Sequence, residues 1–302
     1  MQPSSPGAPA HELLARLNGD GYLLFRALIP REDVVGARSV IAGDLRRGGF
    51  VAGAREGEGG DDDGDGRLRI APGKDKEGAG PNLLARQDLA NHPSVFSVLQ
   101  HPNLRRLMTI LLNPTPEPSP VPSADAASPS PPPPPPALTH PYKWLRAVPT
   151  LLHTGPHRDA TYFPSSTYPS LLTAWVPLGD LAPELGTLVC ATPSAQASAD
   201  AADSAIRLGA DGTRSGWITN EARLAGMEWV TESVRMGDVV VLGRERVHCS
   251  SVNMTDEWRV SCDTRWMRAE AEAEQEEEEV DTDSEEGEQE SGESRSEDDE
   301  SS

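Results

Sequence analysis

From Lys143 to Arg268 the chain reads as short apolar segments divided by turns, with no helical period between them. The segments are Lys143–Val148, Leu171–Pro177, Gly186–Ala191, Glu228–Val234, Asp238–Leu242, Arg246–Val252 and Trp258–Met267. Parallel strands need long crossover connections, usually helical. Many short strands without intervening helices suggest a sandwich or barrel, not a doubly wound sheet. The expected fold class is therefore mainly β (α+β).

The N-terminal third reads differently. Leu14 to Leu17 suggest a short helix, and Gly21-Tyr22-Leu23-Leu24-Phe25 an apolar strand. Pro30 opens a helical pattern in which Val34, Val35, Ala37, Val40, Ile41 and Leu45 share a face, closed by Gly48-Gly49. A helical pair follows near Ser94–Leu99 and Asn103–Leu112, divided by Pro102. These helices are expected to pack on the β core.

One domain over residues 1–268 is expected, interrupted by inserts. Residues 53–80 are rich in Gly, Asp and Glu and read as a solvated loop. Residues 113–141 hold six consecutive prolines, Pro131 to Pro136, which favour extended polyproline and bury no core. Residues 194–226 are Ala/Gly/Ser-rich and read as a long loop. Net charge is −21, but residues 269–302 carry eighteen Asp/Glu against one Arg, −17 of that total. Such a tail is expected to be disordered. The remainder has no basic footprint for nucleic acid. A protein contact through the Pro-rich insert or the acidic tail stays open. A spacer and a solubility segment are the simpler readings.

Cys190, Cys249 and Cys262 are odd in number and contain no Cys-x-x-Cys, so no disulfide framework is expected. A reduced, cytoplasmic setting fits, with organelle targeting left open. The N-terminus lacks the basic and apolar regions of a secretory signal, and no apolar run could span a bilayer.

The chemistry centres on His157-Arg158-Asp159, His248 and Arg259. On a strand, His157 and Asp159 project to one face. Gly155-Pro156 forbids a helix there. A later histidine completes the two-histidine, one-carboxylate set that leaves three metal positions open, as non-haem Fe(II) oxygenases require. Alternation turns Cys249 away from the side His248 takes. Arg259 and Ser261 share a face, so guanidinium and hydroxyl can converge on one carboxylate. Arg265 has the same parity and is the second candidate for that anchor, but it lies six residues farther along and reads as structural. Two decoys fail. His153 and His157 at i, i+4 lack the glutamate and the helix of a zinc protease. Asp61 to Gly66 match half an EF-hand loop, but its last ligand position is Pro72. The absence of Gly-x-Ser-x-Gly leaves a serine hydrolase without support.

These residues resemble the phytanoyl-CoA dioxygenase family of Fe(II)/2-oxoglutarate oxygenases, from about residue 12 to 268. Asp20-Gly21-Tyr22 with Leu28-Ile29-Pro30 resembles the family's opening. Lys143-Trp144-Leu145-Arg146-Ala147 and Thr154-Gly155-x-His157-x-Asp159-x-x-Tyr162 resemble its metal strand. Trp175-Val176-Pro177-Leu178-Gly179-Asp180 and Glu184-Leu185-Gly186-x-Leu188 resemble the central block. Gly237-Asp238, His248-x-Ser250-x-x-Asn253 and Arg259 resemble the closing block.

The resemblance implies a jelly-roll (double-stranded β-helix) core. It implies His157, Asp159 and His248 as iron ligands and Arg259 as the 2-oxoglutarate anchor, with Trp175 and Tyr162 beside the co-substrate. The reaction implied is hydroxylation of a small organic molecule using Fe(II), 2-oxoglutarate and O2, with ascorbate as reductant, releasing succinate and CO2. One departure matters. Thr192-Pro193-Ser194-Ala195-Gln196 stands where the family has Gly-Ser-His, on the substrate side, so no substrate carries over. Two other readings remain: a non-catalytic binding module that keeps a metal site, and a cupin-like metal isomerase or hydrolase that needs no 2-oxoglutarate.

Overall fold

The computed structural model describes residues 1–53, 67–76, 80–114, 134–192, 207–208, 214–215, 218 and 227–269. The half EF-hand match, the proline run up to Pro133, most of 194–226 and the tail beyond residue 269 lie outside them.

The helical part comes first. Strand β1 (Pro3–Ser4) precedes helix α1 (Ala10–Asp20), strand β2 (Tyr22–Phe25) and helix α2 (Arg31–Arg47). α1 ends on Gly21, whose left-handed φ of 71° lets its N–H reach the Leu17 carbonyl at 2.8 Å. α2 buries Val34, Ala37, Ile41, Ala42 and Leu45. Val35, expected on that face, is exposed, because it sits one step around the helix from Val34. A 3-10 turn η1 (Leu83–Ala85) and the short helix α3 (Gln87–Ala90) lead to α4 (Pro93–Leu99) and α5 (Pro102–Leu112). α4 and α5 begin the same way. A histidine, His92 or His101, caps the first turn through its Nδ1, and a proline takes the first helical position.

The β part follows. Strands β3 (Leu138–Thr139), β4 (Trp144–Val148), β5 (Leu172–Pro177) and β6 (Leu188–Ala191) come first, with a 3-10 turn η2 (Asp159–Thr161) between β4 and β5. β7 (Arg207–Leu208) and β8 (Arg214–Ser215) pair with each other. β9 (Trp229–Thr231), β10 (Val239–Gly243), β11 (His248–Ser250) and β12 (Arg259–Met267) complete the chain. Each expected segment overlaps one of these strands, β10 running one residue past its segment, to Gly243.

The larger sheet runs β1-β2-β10-β5-β12-β3, with β4 also on β12; the smaller runs β11-β6-β9. Apart from β1 against β2, the pairs within both sheets are antiparallel. The fold is a jelly-roll core with helices packed on its larger sheet. Strand parity divides the interior in two. Leu23, Phe25, Leu172, Ala174, Val176, Val239, Val241, Val260, Cys262 and Trp266 join the helices in one cluster. Their neighbours of opposite parity, Tyr22, Leu24, Trp175, Val240 and Leu242, pack with Leu188 and Cys190 of the smaller sheet. β12 is buried along its whole length. Its even residues Val260, Cys262 and Trp266 face the helix core, and its odd row is Arg259, Ser261, Asp263, Arg265 and Met267.

Part of the segment expected as a solvated loop is folded. Leu68 is buried, Ile70 bridges to Val51, and Trp258 N–H donates to the Leu68 carbonyl at 2.9 Å. Trp258 Nε1 also donates to the Phe50 carbonyl at 2.8 Å. The acidic, glycine-rich average of the segment hides one leucine that fills space beside a buried tryptophan.

Candidate metal and co-substrate site

His157 and His248 meet in an isolated antiparallel bridge. His157 N–H donates to the His248 carbonyl at 2.9 Å, and His248 N–H returns the bond at 3.0 Å. Directly opposed residues carry their side chains to the same face. The rings sit 4.3 Å apart between centroids. Asp159 follows through Arg158, which is extended (φ −116°, ψ 142°), so the period of two holds from His157 to Asp159. The expected strand is nonetheless replaced by a single bridge and a 3-10 turn that Asp159 begins. One nitrogen from each histidine and one Asp159 oxygen lie within 4.8 Å of one another, all three residues buried.

Both imidazoles are oriented by the same device. His157 Nδ1 lies 2.8 Å from the Gly155 carbonyl, and His248 Nδ1 lies 2.9 Å from the Arg246 carbonyl. A carbonyl only accepts, so each Nδ1 carries a proton, and the neutral tautomer compatible with that bond presents its lone pair on Nε2, as a metal requires. Burial, and then the nearby His248, push His157 down to about 3, so its ring is neutral at ordinary pH. Burial alone would raise the Asp159 carboxyl. The Arg265 guanidinium, with His248 and His157, overrides it and holds Asp159 below its ordinary range. The donor set fits a divalent cation: two imidazole nitrogens and one ionised oxygen, already converged and buried.

Arg265 Nη2 donates to Asp159 Oδ1 at 2.6 Å, and the Thr173 hydroxyl donates to Oδ2. The register of β12 on β5 sets Arg265 opposite Thr173. Neither role follows from the sequence, where Arg265 is a second candidate for the carboxylate anchor and otherwise structural. The available signal is the run of charged or polar residues at alternate positions 259, 261, 263 and 265 of a strand buried along its whole length.

Arg259 is 2 % exposed. Its Nη1 donates to the Ser261 hydroxyl at 2.5 Å and its Nη2 reaches the Thr154 hydroxyl at 3.5 Å, while Nε has no partner. Burial, then the neighbouring Arg146, lower it only to about 10, so it stays charged at neutral pH. Among the described residues no carboxylate pairs with it. Buried charges are ordinarily paired, so this arginine fits an anionic ligand. It lines an inner cavity with Trp175, Ser250, His248 and His157. That cavity measures about 20 Å³, little more than one water molecule, so a five-carbon diacid must widen it. Arg146, Thr154 and His157 also line an outer cavity of about 490 Å³. Tyr162 borders this outer cavity, its ring 6.0 Å from that of His157, and does not line the inner one. Of the two aromatics expected beside the co-substrate, Trp175 alone lines the cavity that Arg259 lines. Cys249 also borders the inner cavity but belongs to no metal-ligating cluster among the described residues.

Residues 17–261 match the family described as phytanoyl-CoA dioxygenase (PhyH). The chain belongs to the phytanoyl-CoA dioxygenase family. With membership come an oxidoreductase of the non-haem iron, 2-oxoglutarate-dependent class and its co-substrates, 2-oxoglutarate and O2. No curated protein sequence matches the chain. Among solved structures it is similar to the 2-oxoglutarate-dependent carbocyclase SnoK of nogalamycin biosynthesis, at 20 % identity and TM-score 0.54, over 89 % of this chain and 88 % of that one. It is also similar to EctD from S. alaskensis, solved with 2-oxoglutarate and 5-hydroxyectoine, at 14 % identity and TM-score 0.53, over 90 % and 79 %. AviO1 from Streptomyces viridochromogenes shares 16 % identity at TM-score 0.51, over 86 % and 95 %. At these identities the likeness is one of fold. Among the described residues no helix is long and apolar enough to cross a membrane.

Proposed function

We propose that this family member hydroxylates a small organic molecule with a largely apolar body, with His157, Asp159 and His248 holding Fe(II) and Arg259 anchoring 2-oxoglutarate. The observation that carries this reading is Arg259, a buried cation with no ion pair to a carboxylate among the described residues, lining the same inner cavity as both histidines. Its planar fork suits the far carboxylate of a diacid, with the Ser261 hydroxyl beside it. Bound iron supplies the activation of O2 and the oxidative decarboxylation of 2-oxoglutarate to succinate and CO2. The chain's own part is geometric. The Gly155 and Arg246 carbonyls aim the two Nε2 lone pairs, Arg265 and Thr173 fix the Asp159 carboxylate, and Trp175 walls the co-substrate from water.

The outer cavity is the proposed seat of the substrate. Its walls are Leu83, Leu84, Trp144, Val148, Tyr162 and Phe163, and His157 opens into it. None of its lining residues carries a carboxylate. A cationic substrate would find no counter-charge there, so a neutral or anionic molecule with an apolar face fits. Relatives of this fold include a carbocyclase and a structure holding 5-hydroxyectoine, so fold alone does not choose the outcome of oxidation.

Purified protein with Fe(II) and ascorbate is expected to bind 2-oxoglutarate only when the metal is present, and His157→Ala is expected to abolish that binding. Metal-independent binding, or an unaffected variant, defeats the assignment. A screen of neutral and anionic apolar molecules for stimulated succinate release then identifies the substrate. Normal loading with no turnover over a broad panel would point to a binding module.

A further inference from the structure

Arg265 touches more than Asp159. It is 2 % exposed, and its guanidinium carbon lies 4.4 Å from the centroid of the Trp144 ring and 5.6 Å from that of Phe163. The two rings meet edge-on at 5.6 Å. Trp144, Phe163 and Arg265 all line the outer cavity. A guanidinium stacked on aromatic faces is attracted to them and fixed in plane by them. On its other side Nη2 holds Asp159 Oδ1 at 2.6 Å, and Nη1 lies 3.8 Å from Asp263 Oδ2. Nη1 and Nε make no hydrogen bond, so the single bond to Asp159 and the two rings carry most of its positioning.

We propose that Arg265 is a positioning residue that couples the aromatic wall of the outer cavity to the metal-facing carboxylate of Asp159. This rests on the reading of Asp159 as a metal ligand. A molecule that packs on Trp144 and Phe163 presses on the partner of a metal ligand, and any shift of the guanidinium turns the Asp159 carboxylate. The simpler role for Arg265 is to neutralise a buried aspartate. That role is served by any cation at the position and gives the two rings no influence on the metal. The two roles therefore differ in what Trp144 does.

The test uses Co(II), bound in place of iron, as a probe whose visible bands report ligand geometry. Full-length protein, Arg265→Lys, Trp144→Leu, Phe163→Leu and the Arg265→Lys/Trp144→Leu double variant are titrated with Co(II), with thermal melting as a check on folding. Arg265→Lys is expected to weaken Co(II) binding by about tenfold or more and shift the bands. Trp144→Leu and Phe163→Leu are expected to shift the bands in the same direction, and Trp144→Leu is expected to add nothing once Arg265 is replaced. Unchanged bands in both aromatic variants overturn the coupling. So does a Trp144→Leu shift that persists in full in the double variant. If Arg265→Lys does not fold, the two aromatic variants decide alone. His157→Ala is the separate control: a Co(II) spectrum that survives it removes the metal reading, and the coupling with it.

Discussion

His157 and His248 are direct cross-strand partners, each donating its backbone N–H to the other's carbonyl, at 2.9 and 3.0 Å. Main-chain bonds therefore fix the separation of the two backbones from which the imidazoles project, and the Nδ1 contacts to the Gly155 and Arg246 carbonyls set the rings. Residues 91 positions apart in the chain gain a fixed separation from one bridge.

Arg259→Lys keeps the charge and loses the fork. Affinity for 2-oxoglutarate is expected to fall roughly ten- to hundredfold, the range for a lost charge-assisted hydrogen bond. Metal binding should be little changed. Isothermal titration with 2-oxoglutarate and, separately, with Co(II) checks both halves; unchanged 2-oxoglutarate affinity would remove Arg259 from the co-substrate site.

The metal-free protein should lose stability in acid along a defined window. His157 is held at about 3 against an ordinary 6.5, by burial and then by His248. Between those limits the unfolded chain binds a proton on this ring that the folded protein refuses, so stability falls as pH drops through the window. Asp159 is held below its ordinary 3.8, so its contribution is present above that value and is lost at lower pH. Melting temperature of the metal-free protein should decline from about pH 6.5 downward, and His157→Gln should flatten the slope. An equal slope in the variant would contradict the buried neutral ring.

Leu68→Ala tests whether the folded part of the 53–80 segment belongs to the core. Removing a fully buried leucine costs roughly 2–5 kcal/mol. Leu68 packs in the main cluster with Trp258. Urea denaturation should show that loss, and a change within experimental scatter would return the segment to solvent.

Gly186 sits at φ 84°, and a Cβ there would lie 3.3 Å from the Ser251 carbonyl oxygen, 3.5 Å from Asn253 Cβ and 3.7 Å from Arg259 Cγ. A left-handed alanine costs about 1–2 kcal/mol. Gly186→Ala is expected to lower stability by that amount and to weaken 2-oxoglutarate binding by displacing the Arg259 stem. Unaltered binding in a destabilised variant would confine the glycine's role to the turn.

Short apolar runs made the strands legible, and the turns between them made the fold class legible. The His-x-Asp spacing was legible because it survives one extended residue, even though no strand forms there. What the sequence could not carry was register. Thr173 and Arg265 share Asp159 only because β5 and β12 align them, and nothing local to either residue announces that. The buried state of Leu68 depends on Trp258, a residue 190 positions away. The narrowness of the inner cavity arises from side chains of several elements and has no trace in any one segment.

β12 carries arginine, serine, aspartate and arginine on one face and valine, cysteine, threonine and tryptophan on the other. A slip of one residue in its pairing would drive two guanidinium groups and a carboxylate into the helix core and leave Trp266 among the ligands. No compact alternative tolerates that exchange. The residues proposed to serve chemistry thus also forbid misregistration of the strand, so their replacement by apolar residues should broaden the set of structures this chain can adopt before it changes how tightly any one of them is held.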